Sequence, residues 1–306
     1  MSLVALERPA AASRWCAVER AAGRSLGLVP TMGALHAGHL SLVERARAEN
    51  DLCVVSVFVN PLQFDEVADL AGYPRDWEGD VRVLEEAGCD LVFTGTLASF
   101  FEGRLDAVGE LDPRHAVDPG PAAEGLEGAC RSGHFRGVAT IVARLFELVE
   151  PTRAYFGQKD YQQALVVADV ARRRGGPEVV VCPISREPSG LARSSRNERL
   201  DAAERERAAS LSRALSRASH LWRAGLREPR ELEAALHTEL ADVDVEYAAL
   251  REDGAWTGGD PAAPLERPVA LVAARVGPVR LIDNHRLEEE PPVPAAAFPE
   301  LSLPRT

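Results

Sequence analysis

The chain has few cysteines, and their arrangement does not fit a disulfide-stabilised fold. They are odd in number, far apart and mostly set in apolar runs: Cys16, Cys53, Cys89, Cys130 and Cys182. Small disulfide-stabilised domains instead carry an even set of cysteines at close spacing. We therefore predict buried free thiols.

Long apolar runs and excess positive charge are also lacking. No run approaches the roughly 18 residues of a membrane span, and Glu7 and Arg8 lie where a secretion signal would need apolar residues. The formal net charge of −12 argues against nucleic acid or an anionic membrane as a partner. We expect a cytoplasmic protein whose anionic ligands are small.

The sequence does contain enough apolar residues for two domains. Its 306 residues correspond to about two domains, and a hydrophobic content of 46% allows a sizeable core. Apolar runs such as "SLGLVP", "DLCVVSVFVN", "DLVF", "RAYFG" and "EVVVCPI" alternate with helical periodicity, for example from about His39, around Asp76 to Ala87 and from about Asp160 to Arg174. This repeated βαβ pattern predicts an α/β fold with a doubly wound, Rossmann-like parallel sheet.

After Asp201 the composition changes to helical stretches rich in Ala, Arg and Glu. They precede "VDVEYAALRE" and "PVALVAARVGPVRLIDN", which we interpret as strands flanking a turn at Gly277 and Pro278. We therefore predict a first domain over 1–177 and a smaller α+β C-terminal domain over 178–287 that closes over a nucleotide. The Pro-rich, acidic segment 288–306 is expected to be a disordered tail.

Two histidines follow an apolar run in "LVPTMGALHAGHLSL". Packing at a helix start is the simplest interpretation of His36 and His39, and zinc would need a third ligand that no nearby cysteine or carboxylate supplies. Phosphate binding is the functional alternative, because a helix N-terminus at the carboxyl edge of a parallel sheet presents backbone N–H groups. Gly33 and Gly38 leave space there, and a neutral imidazole donates one N–H.

Three further stretches support the functional interpretation of the two histidines. "VFVNPLQF" ends a strand with the amides Asn60 and Gln63, which suit hydroxyls or a carboxylate but also fit a turn. "YFGQKDYQQ" opens a helix after another strand and, alone, fits a glycine turn with a solvated helix start. "GLARSSRNERL" contains hydroxyls and Arg196, which suit terminal phosphates but also fit an N-cap region.

Together these stretches resemble the pantoate–β-alanine ligase (pantothenate synthetase) family of the HIGH-motif nucleotidylyl transferase superfamily. The resemblance runs from about Ser25 to Asn284 and includes "DLAGYPRDWEGD" and "LEGACRSGHFRGV". It implies an AMP-forming ligase that condenses (R)-pantoate with β-alanine through a pantoyl adenylate and releases pyrophosphate and AMP. It also implies ATP as a substrate with Mg²⁺, no tightly bound organic cofactor, and a homodimer.

The resemblance implies a role for individual residues as well. The catalytic set would be His36, His39, Lys159 and Arg196. Further contacts to ATP would come from Met32, Gly33, Gly38, Gly157, Asp160, Ser185, Arg193, Ser194 and Ser195. Pantoate and β-alanine would be bound by Asn60, Gln63, Arg131, His134 and Gln163, and Asp80 would lie near the magnesium.

The chain departs from the family pattern at four positions. Gln158 replaces a glutamate, Ser132 a proline and Ser185 a β-branched apolar residue. Arg193 stands where an apolar residue precedes the "SSR" segment. Either its backbone alone contacts phosphate and the side chain is incidental, or its guanidinium pairs with the β or γ phosphate.

Two other functions are compatible with the same motifs. One is a paralogous adenylate-forming ligase for another small hydroxy acid or amine, which the intact set of Asn60, Gln63 and Gln163 disfavours. The other is a nucleotide-binding regulatory protein without turnover, which the retention of His36 and Lys159 disfavours.

Overall fold

The computed structural model describes residues 2–65, 67–254, 256, 258–260, 265–294 and 298, and they divide into two compact units. The first unit holds the described residues of 1–123, 127–158 and 162–183. The second holds those of 124–126, 159–161 and 184–306. The sequence prediction began the second domain at 178, but the strand that starts there pairs with the sheet of the first unit.

The first unit is built on a six-stranded parallel sheet in the order β1-β4-β3-β2-β5-β6. Its strands are β1 Val4–Leu6, β2 Leu26–Thr31, β3 Leu52–Val57, β4 Leu91–Phe93, β5 Arg153–Gly157 and β6 Glu178–Cys182. The chain proceeds from β2 to β3 on one side and later places β5 on the other side of β2. In parallel α/β sheets, ligands bind where the strand order reverses, outside the carboxyl ends of the strands. Here that point lies between β2 and β5.

Helices connect these strands and cover both faces of the sheet. They are α1 Pro9–Ala21, α2 Ala37–Glu49, α3 Val67–Gly72, α4 Trp77–Glu86, α5 Leu97–Phe100, α6 Leu126–Cys130, α7 His134–Val149 and α8 Tyr161–Arg174. Leu28 packs with Val142 of α7 on one face, and its neighbour Val29 packs with Val43 of α2 on the other. Because successive strand side chains alternate between faces, burial on both sides requires the continuous apolar runs seen in the sequence. The predicted doubly wound sheet is confirmed.

The second unit contains an antiparallel sheet in the order β7-β8-β9. Its strands are β7 Asp244–Glu252, β8 Pro268–Val276 and β9 Val279–Arg286, and its helices are α9 Ala202–Ala208, α10 Ser210–Arg223 and α11 Pro229–Glu239. Gly277, at φ +56°, forms the predicted turn between β8 and β9. Leu215 and Leu236 of the helices pack on Leu250 and Val272 of the sheet. This arrangement confirms the smaller α+β region.

The start of the predicted disordered tail contacts helix α10. The backbone N–H of Val293 donates to Ser216 Oγ at 2.8 Å, and its carbonyl lies 3.0 Å from His220 Nε2. Phe298 is 3% exposed and contacts the His220 ring. The rest of that prediction, residues 295–297 and 299–306, lies outside the described residues.

All five cysteines are free, as predicted, and Cys130 is exposed whereas the other four are buried. Within the part of the chain that the structure describes, no helix has the length and apolar character needed to cross a membrane.

His285 of β9 is a buried base that makes stability depend on pH. Burial, reinforced by the positive charge of Arg186, lowers its pKa to about 4. Among the described residues, its Nε2 has no hydrogen-bond partner. In the unfolded chain the ring has its ordinary pKa of 6.5, so between pH 6.5 and 4 it binds a proton more readily than in the folded chain. The free energy of unfolding is therefore highest above pH 6.5 and decreases as pH falls towards 4.

We expect the free energy of unfolding to fall by as much as about 3 kcal/mol from this group between neutral pH and its folded pKa. His285→Phe, which cannot be protonated, should flatten that part of the profile. Urea unfolding at a series of pH values measures it, with the exposed His237→Phe as control. An unchanged profile in His285→Phe would show that other groups cause the acid sensitivity.

Candidate active site

His36 and His39 cap the N-terminus of α2 together. His36 is the N-cap residue, and its Nδ1 accepts the backbone N–H of Gly38 at 3.1 Å. His39 Nδ1 accepts the backbone N–H of His36 at 3.4 Å, and the two ring centroids are 4.1 Å apart. Because Nδ1 is the acceptor in both rings, each neutral imidazole carries its proton on Nε2. The pair therefore combines helix capping with two Nε2–H donors at a helix end that favours anions.

A buried carboxylate holds the loop between β2 and α2. Asp80 of α4 is 4% exposed and accepts the backbone N–H groups of Ala34 at 3.1 Å and Leu35 at 2.8 Å. Gly33 has φ +82°, and a Cβ there would lie 2.7 Å from an Asp80 oxygen. Burial raises the pKa of Asp80, and these backbone hydrogen bonds only partly offset that rise. Asp80, which the resemblance placed near magnesium, thus fixes the loop that leads to His36.

Asp80→Asn is expected to destabilise the chain by about 1–3 kcal/mol, because one of the two backbone donors would face an amide NH₂ group. The matched control is Asp76→Asn on the same helix, where Asp76 is an exposed N-cap that accepts from Gly79 and asparagine caps equally well. Thermal and urea unfolding of both variants measure the difference. Equal stability of the two variants would contradict this role for Asp80.

The described residues do not form a metal cage. Within them, no group of three or more His, Cys, Asp or Glu side chains could hold a metal ion. A single carboxylate whose two oxygens already accept backbone N–H groups does not by itself bind a divalent cation tightly.

Asn60 and Gln63 form a buried amide pair after β3. Asn60 Nδ2 donates to Gln63 Oε1 at 3.0 Å and to the carbonyl of Gly137 in α7 at 3.2 Å. Gln63 Nε2 lies 3.2 Å from Met32 Sδ, which follows β2. Since a thioether sulfur is a weak acceptor, a substrate oxygen would be a stronger partner for the Gln63 amide.

Arg131 and His134 hold the backbone of Gln63 from the start of α7. His134 Nδ1 donates to the Gln63 carbonyl at 2.8 Å, and Arg131 NH2 donates to the same oxygen at 3.3 Å. A Cβ at Gly137 would lie 2.0 Å from the Leu62 carbonyl oxygen, so only glycine allows α7 this close to the turn. Five of the predicted site residues therefore lie together at the carboxyl edge of the sheet: Met32, Asn60, Gln63, Arg131 and His134.

The two adjacent glutamines at the start of α8 differ in their contacts. Gln162 is 2% exposed, accepts the Glu127 N–H at 3.1 Å and donates to the Ala122 carbonyl at 2.9 Å. It therefore holds the segment that leads to Arg131, a role that sequence reasoning missed. Gln163, the predicted substrate ligand, is half-buried in the first turn of α8, a few residues after Gly157 ends β5.

Lys159, in the second unit, is the only lysine in the chain. It lies in the 3₁₀ turn Gln158–Asp160, and its Nζ is 3.7 Å from Asp160 Oδ1. That Lys159 is the only lysine is a further sequence signal for this position, in addition to its motif. Every other long basic side chain in the sequence is an arginine, whose planar guanidinium differs from the compact, mobile ammonium of lysine.

The segment with the predicted triphosphate contacts is a closed loop of the second unit. A β-bridge joins Arg186 and Ala192, and the backbone N–H of Arg193 donates to the Ser185 carbonyl at 2.9 Å. That N–H is therefore already used, and the guanidinium is the group of Arg193 that remains for a phosphate. Ser194 caps the turn Ser195–Arg199 by accepting the backbone N–H of Arg196 at 3.3 Å.

Comparison with known proteins identifies the family. The family model described as pantoate-beta-alanine ligase matches residues 5–286. The chain belongs to the pantoate–β-alanine ligase family. It is 50% identical to a pantothenate synthetase of Rubrobacter xylanophilus, over 90% of this chain and 94% of that one. It is 45% identical to a bifunctional pantoate ligase/cytidylate kinase of Gloeobacter violaceus, over 86% of this chain and 50% of that one.

Solved structures of pantoate–β-alanine ligases share the fold. Pantothenate synthetase from Thermus thermophilus aligns with a TM-score of 0.81 at 42% identity, covering 94% of this chain and 100% of that one. A ligase from Francisella tularensis, complexed with beta-gamma ATP and β-alanine, aligns with a TM-score of 0.71 at 28% identity, covering 95% of this chain and 100% of that one. The chain is thus an enzyme with pantoate–β-alanine ligase activity.

Proposed function

We propose that the enzyme makes pantothenate in two steps through a bound pantoyl adenylate. A carboxylate oxygen of pantoate attacks the α-phosphorus of ATP, and the bond to pyrophosphate breaks. The amine of β-alanine then attacks the acyl carbon, a C–N bond forms, and AMP leaves. The beta-gamma ATP and β-alanine bound by the Francisella relative support these substrates.

The observation that carries the proposal is the pair of Nε2–H donors at the start of α2. In the first step a negative carboxylate must approach a negative phosphate, so the site has to stabilise charge that develops on phosphate oxygens. Because His36 and His39 use Nδ1 to accept backbone N–H groups, the proton of each neutral ring lies on Nε2, which is a donor. We infer that both donate to phosphate, with His36 in the position that the family assigns to a proton donor.

The amide pair supports pantoate as the acid. Pantoate has two hydroxyls and a carboxylate that must stay nucleophilic, and a guanidinium clamp would bind that carboxylate too tightly in the ground state. Neutral amides bind it without this penalty. We therefore propose that Gln63 and Gln163 bind pantoate. Asn60 orients the Gln63 amide by donating a hydrogen bond to its oxygen. Arg131 and His134 act on the same substrate pocket by fixing the Gln63 backbone.

In the second unit, Lys159 is the proposed charge-stabilising group at the α-phosphate. A lysine ammonium is a compact point charge on a flexible stem, which lets it follow a phosphate whose geometry changes during transfer. Arg196 with Ser194 and Ser195 would hold the β and γ phosphates, since guanidinium and hydroxyl groups bind phosphate oxygens by charge-assisted hydrogen bonds. The roles of Met32, Gly157, Asp160 and Ser185 towards the nucleotide stay predictions.

Magnesium is proposed to enter bound to ATP. Mg²⁺ keeps several waters and is commonly held by substrate phosphates with one or two carboxylates. Asp80 is not assigned as a ligand, because its oxygens hold the loop before His36. The homodimer and the cytoplasmic location also stay predictions.

Gln63→Ala is expected to weaken pantoate by about 1–3 kcal/mol, because a substrate oxygen loses its amide partner. ATP binding should change much less. Gln63→Glu is the matched variant: it keeps the shape of the side chain, and its carboxylate repels that of pantoate. Calorimetric titration with each substrate measures both effects, and equal losses for ATP and pantoate would contradict the assignment.

The proposed reaction is tested by pyrophosphate release from ATP across a panel of acids. Pantoate should support release without β-alanine for one turnover and with β-alanine for many turnovers. Faster release with another small hydroxy acid would indicate a paralogous ligase. No release with any acid, from folded protein that binds ATP, would contradict the adenylate mechanism.

A further inference from the structure

The backbone of Lys159 is anchored to strand β9 of its own unit. Asn284 is 2% exposed, and its Nδ2 donates to the Lys159 carbonyl at 2.9 Å. A side-chain amide buried at this position has no packing advantage over an apolar residue of the same size. The hydrogen bond to the main chain of Lys159 is a contribution that an apolar residue could not make.

The other end of the same short segment is held by the same sheet. Tyr161 donates its hydroxyl to Asp253, which follows β7, and Arg286 Nε donates to the other Asp253 oxygen at 2.8 Å. Burial raises the pKa of the Tyr161 hydroxyl well above its usual range, and the hydrogen bond to Asp253 adds to that rise, so Tyr161 stays a donor at any working pH. Residues 159–161 are therefore fixed to the second unit at both ends.

Asn284 is itself held by a buried ion pair. Arg186 contacts Asp283 through two guanidinium nitrogens, at 2.6 and 3.0 Å, and donates to the Asn284 carbonyl at 3.3 Å. The Asn284 N–H donates to Asp283 Oδ1 at 2.8 Å. With Asp283 only 3% exposed, this paired geometry leaves the Asn284 backbone little freedom.

The same ion pair holds the loop with the proposed triphosphate contacts. Arg186 directly follows Ser185, and its NH1 also donates to the Gly190 carbonyl at 2.9 Å. Two neighbouring residues of β9 thus act on two parts of the proposed site: Asp283 fixes the loop through Arg186, and Asn284 fixes Lys159.

We propose that Asn284 is a positioning residue that sets where the Lys159 ammonium acts, and that the Arg186–Asp283 pair keeps Asn284 in place. This inference rests on the catalytic role proposed for Lys159. A flexible side chain reaches a defined point only if its backbone is fixed, and a displacement of about 1 Å in a reacting group can slow a reaction about a hundredfold. In this proposal Asn284 acts through the backbone of Lys159 and not on the substrate.

The unique lysine gives this inference a direct readout. Apart from the N-terminal amine, Lys159 Nζ is the only amine in the chain, so its labelling by an amine reagent can be followed at one peptide by mass spectrometry. The variant is Asn284→Ala. Its matched control is Ser219→Ala, which also removes a buried side-chain donor to a backbone carbonyl of the second unit, that of Leu287 at 3.0 Å.

We expect Asn284→Ala to change the labelling rate of Lys159 and to lower kcat by about tenfold or more, with KM for pantoate almost unchanged. Ser219→Ala should change neither the labelling nor kcat. Tyr161→Phe, which removes the other anchor and keeps the ring, should change both in the same direction and replaces Asn284→Ala if that variant does not fold.

Wild-type labelling of Lys159 in both folded variants would overturn the inference, whatever happens to kcat. Lys159→Ala separates this outcome from failure of the proposed function. If Lys159→Ala keeps its kcat, the catalytic role of Lys159 is wrong, while altered labelling in Asn284→Ala would still support the anchoring.

Discussion

Lys159→Ala is expected to slow pantoyl adenylate formation by roughly a hundredfold or more, the scale of one preorganised charge-stabilising group. Within the described part of the chain, the side chain forms one ion pair, with the half-exposed Asp160, so the fold should be nearly unaffected. Single-turnover adenylate formation measures the effect, with circular dichroism as the control for folding. A near wild-type rate would remove Lys159 from the mechanism.

Lys159→Arg is the matched variant, because it keeps the charge and changes only its shape. Arginine has a planar fork that binds phosphate in a fixed geometry, whereas the ammonium can follow the α-phosphate during transfer. Every other long basic side chain of the sequence is an arginine, yet this position is a lysine. We therefore expect Lys159→Arg to form the adenylate at a rate much closer to that of Lys159→Ala than to that of the wild type. A rate equal to wild type would show that charge alone is needed.

His36 should give the second large effect, and two substitutions separate its two roles. His36→Ala removes both the N-cap and the Nε2–H donor, so it should slow adenylate formation roughly a hundredfold and destabilise the chain by about 0.5–2 kcal/mol. His36→Asn restores a favourable N-cap and should recover most of the stability. It should not recover the rate, because its amide does not reach the position of the imidazole Nε2.

Unfolding in urea and single-turnover kinetics of both His36 variants measure these two effects. Recovery of rate and stability together in His36→Asn would mean that His36 acts only as a cap. Loss of neither in His36→Ala would contradict the capping geometry as well.

Most of the fold was predictable because its strands are local apolar runs. Runs such as "DLCVVSVFVN" are buried on both faces, so they carry a strong signal without knowledge of their partners. Strand β1 carries no such signal, because Val4–Leu6 is three residues long and is defined by pairing with β4. Helix α1 follows it directly and was also not predicted.

The candidate site was predictable as a set of motifs but not as a set of contacts. The order and spacing of the motifs predicted His36, Gln63 and Lys159 as site residues. Sequence alone could not show that Asp80 holds a loop or that Asn284 holds Lys159, because a buried polar residue takes its role from distant partners.

In the proposed reaction, pantoate is activated on the enzyme as an adenylate before β-alanine reacts. Isotope exchange between pyrophosphate and ATP tests it most directly, because exchange requires reversible formation of that intermediate. We expect exchange that depends on pantoate, proceeds without β-alanine and is strongly reduced in Lys159→Ala. Absence of exchange in folded protein that binds both ATP and pantoate would contradict the adenylate mechanism.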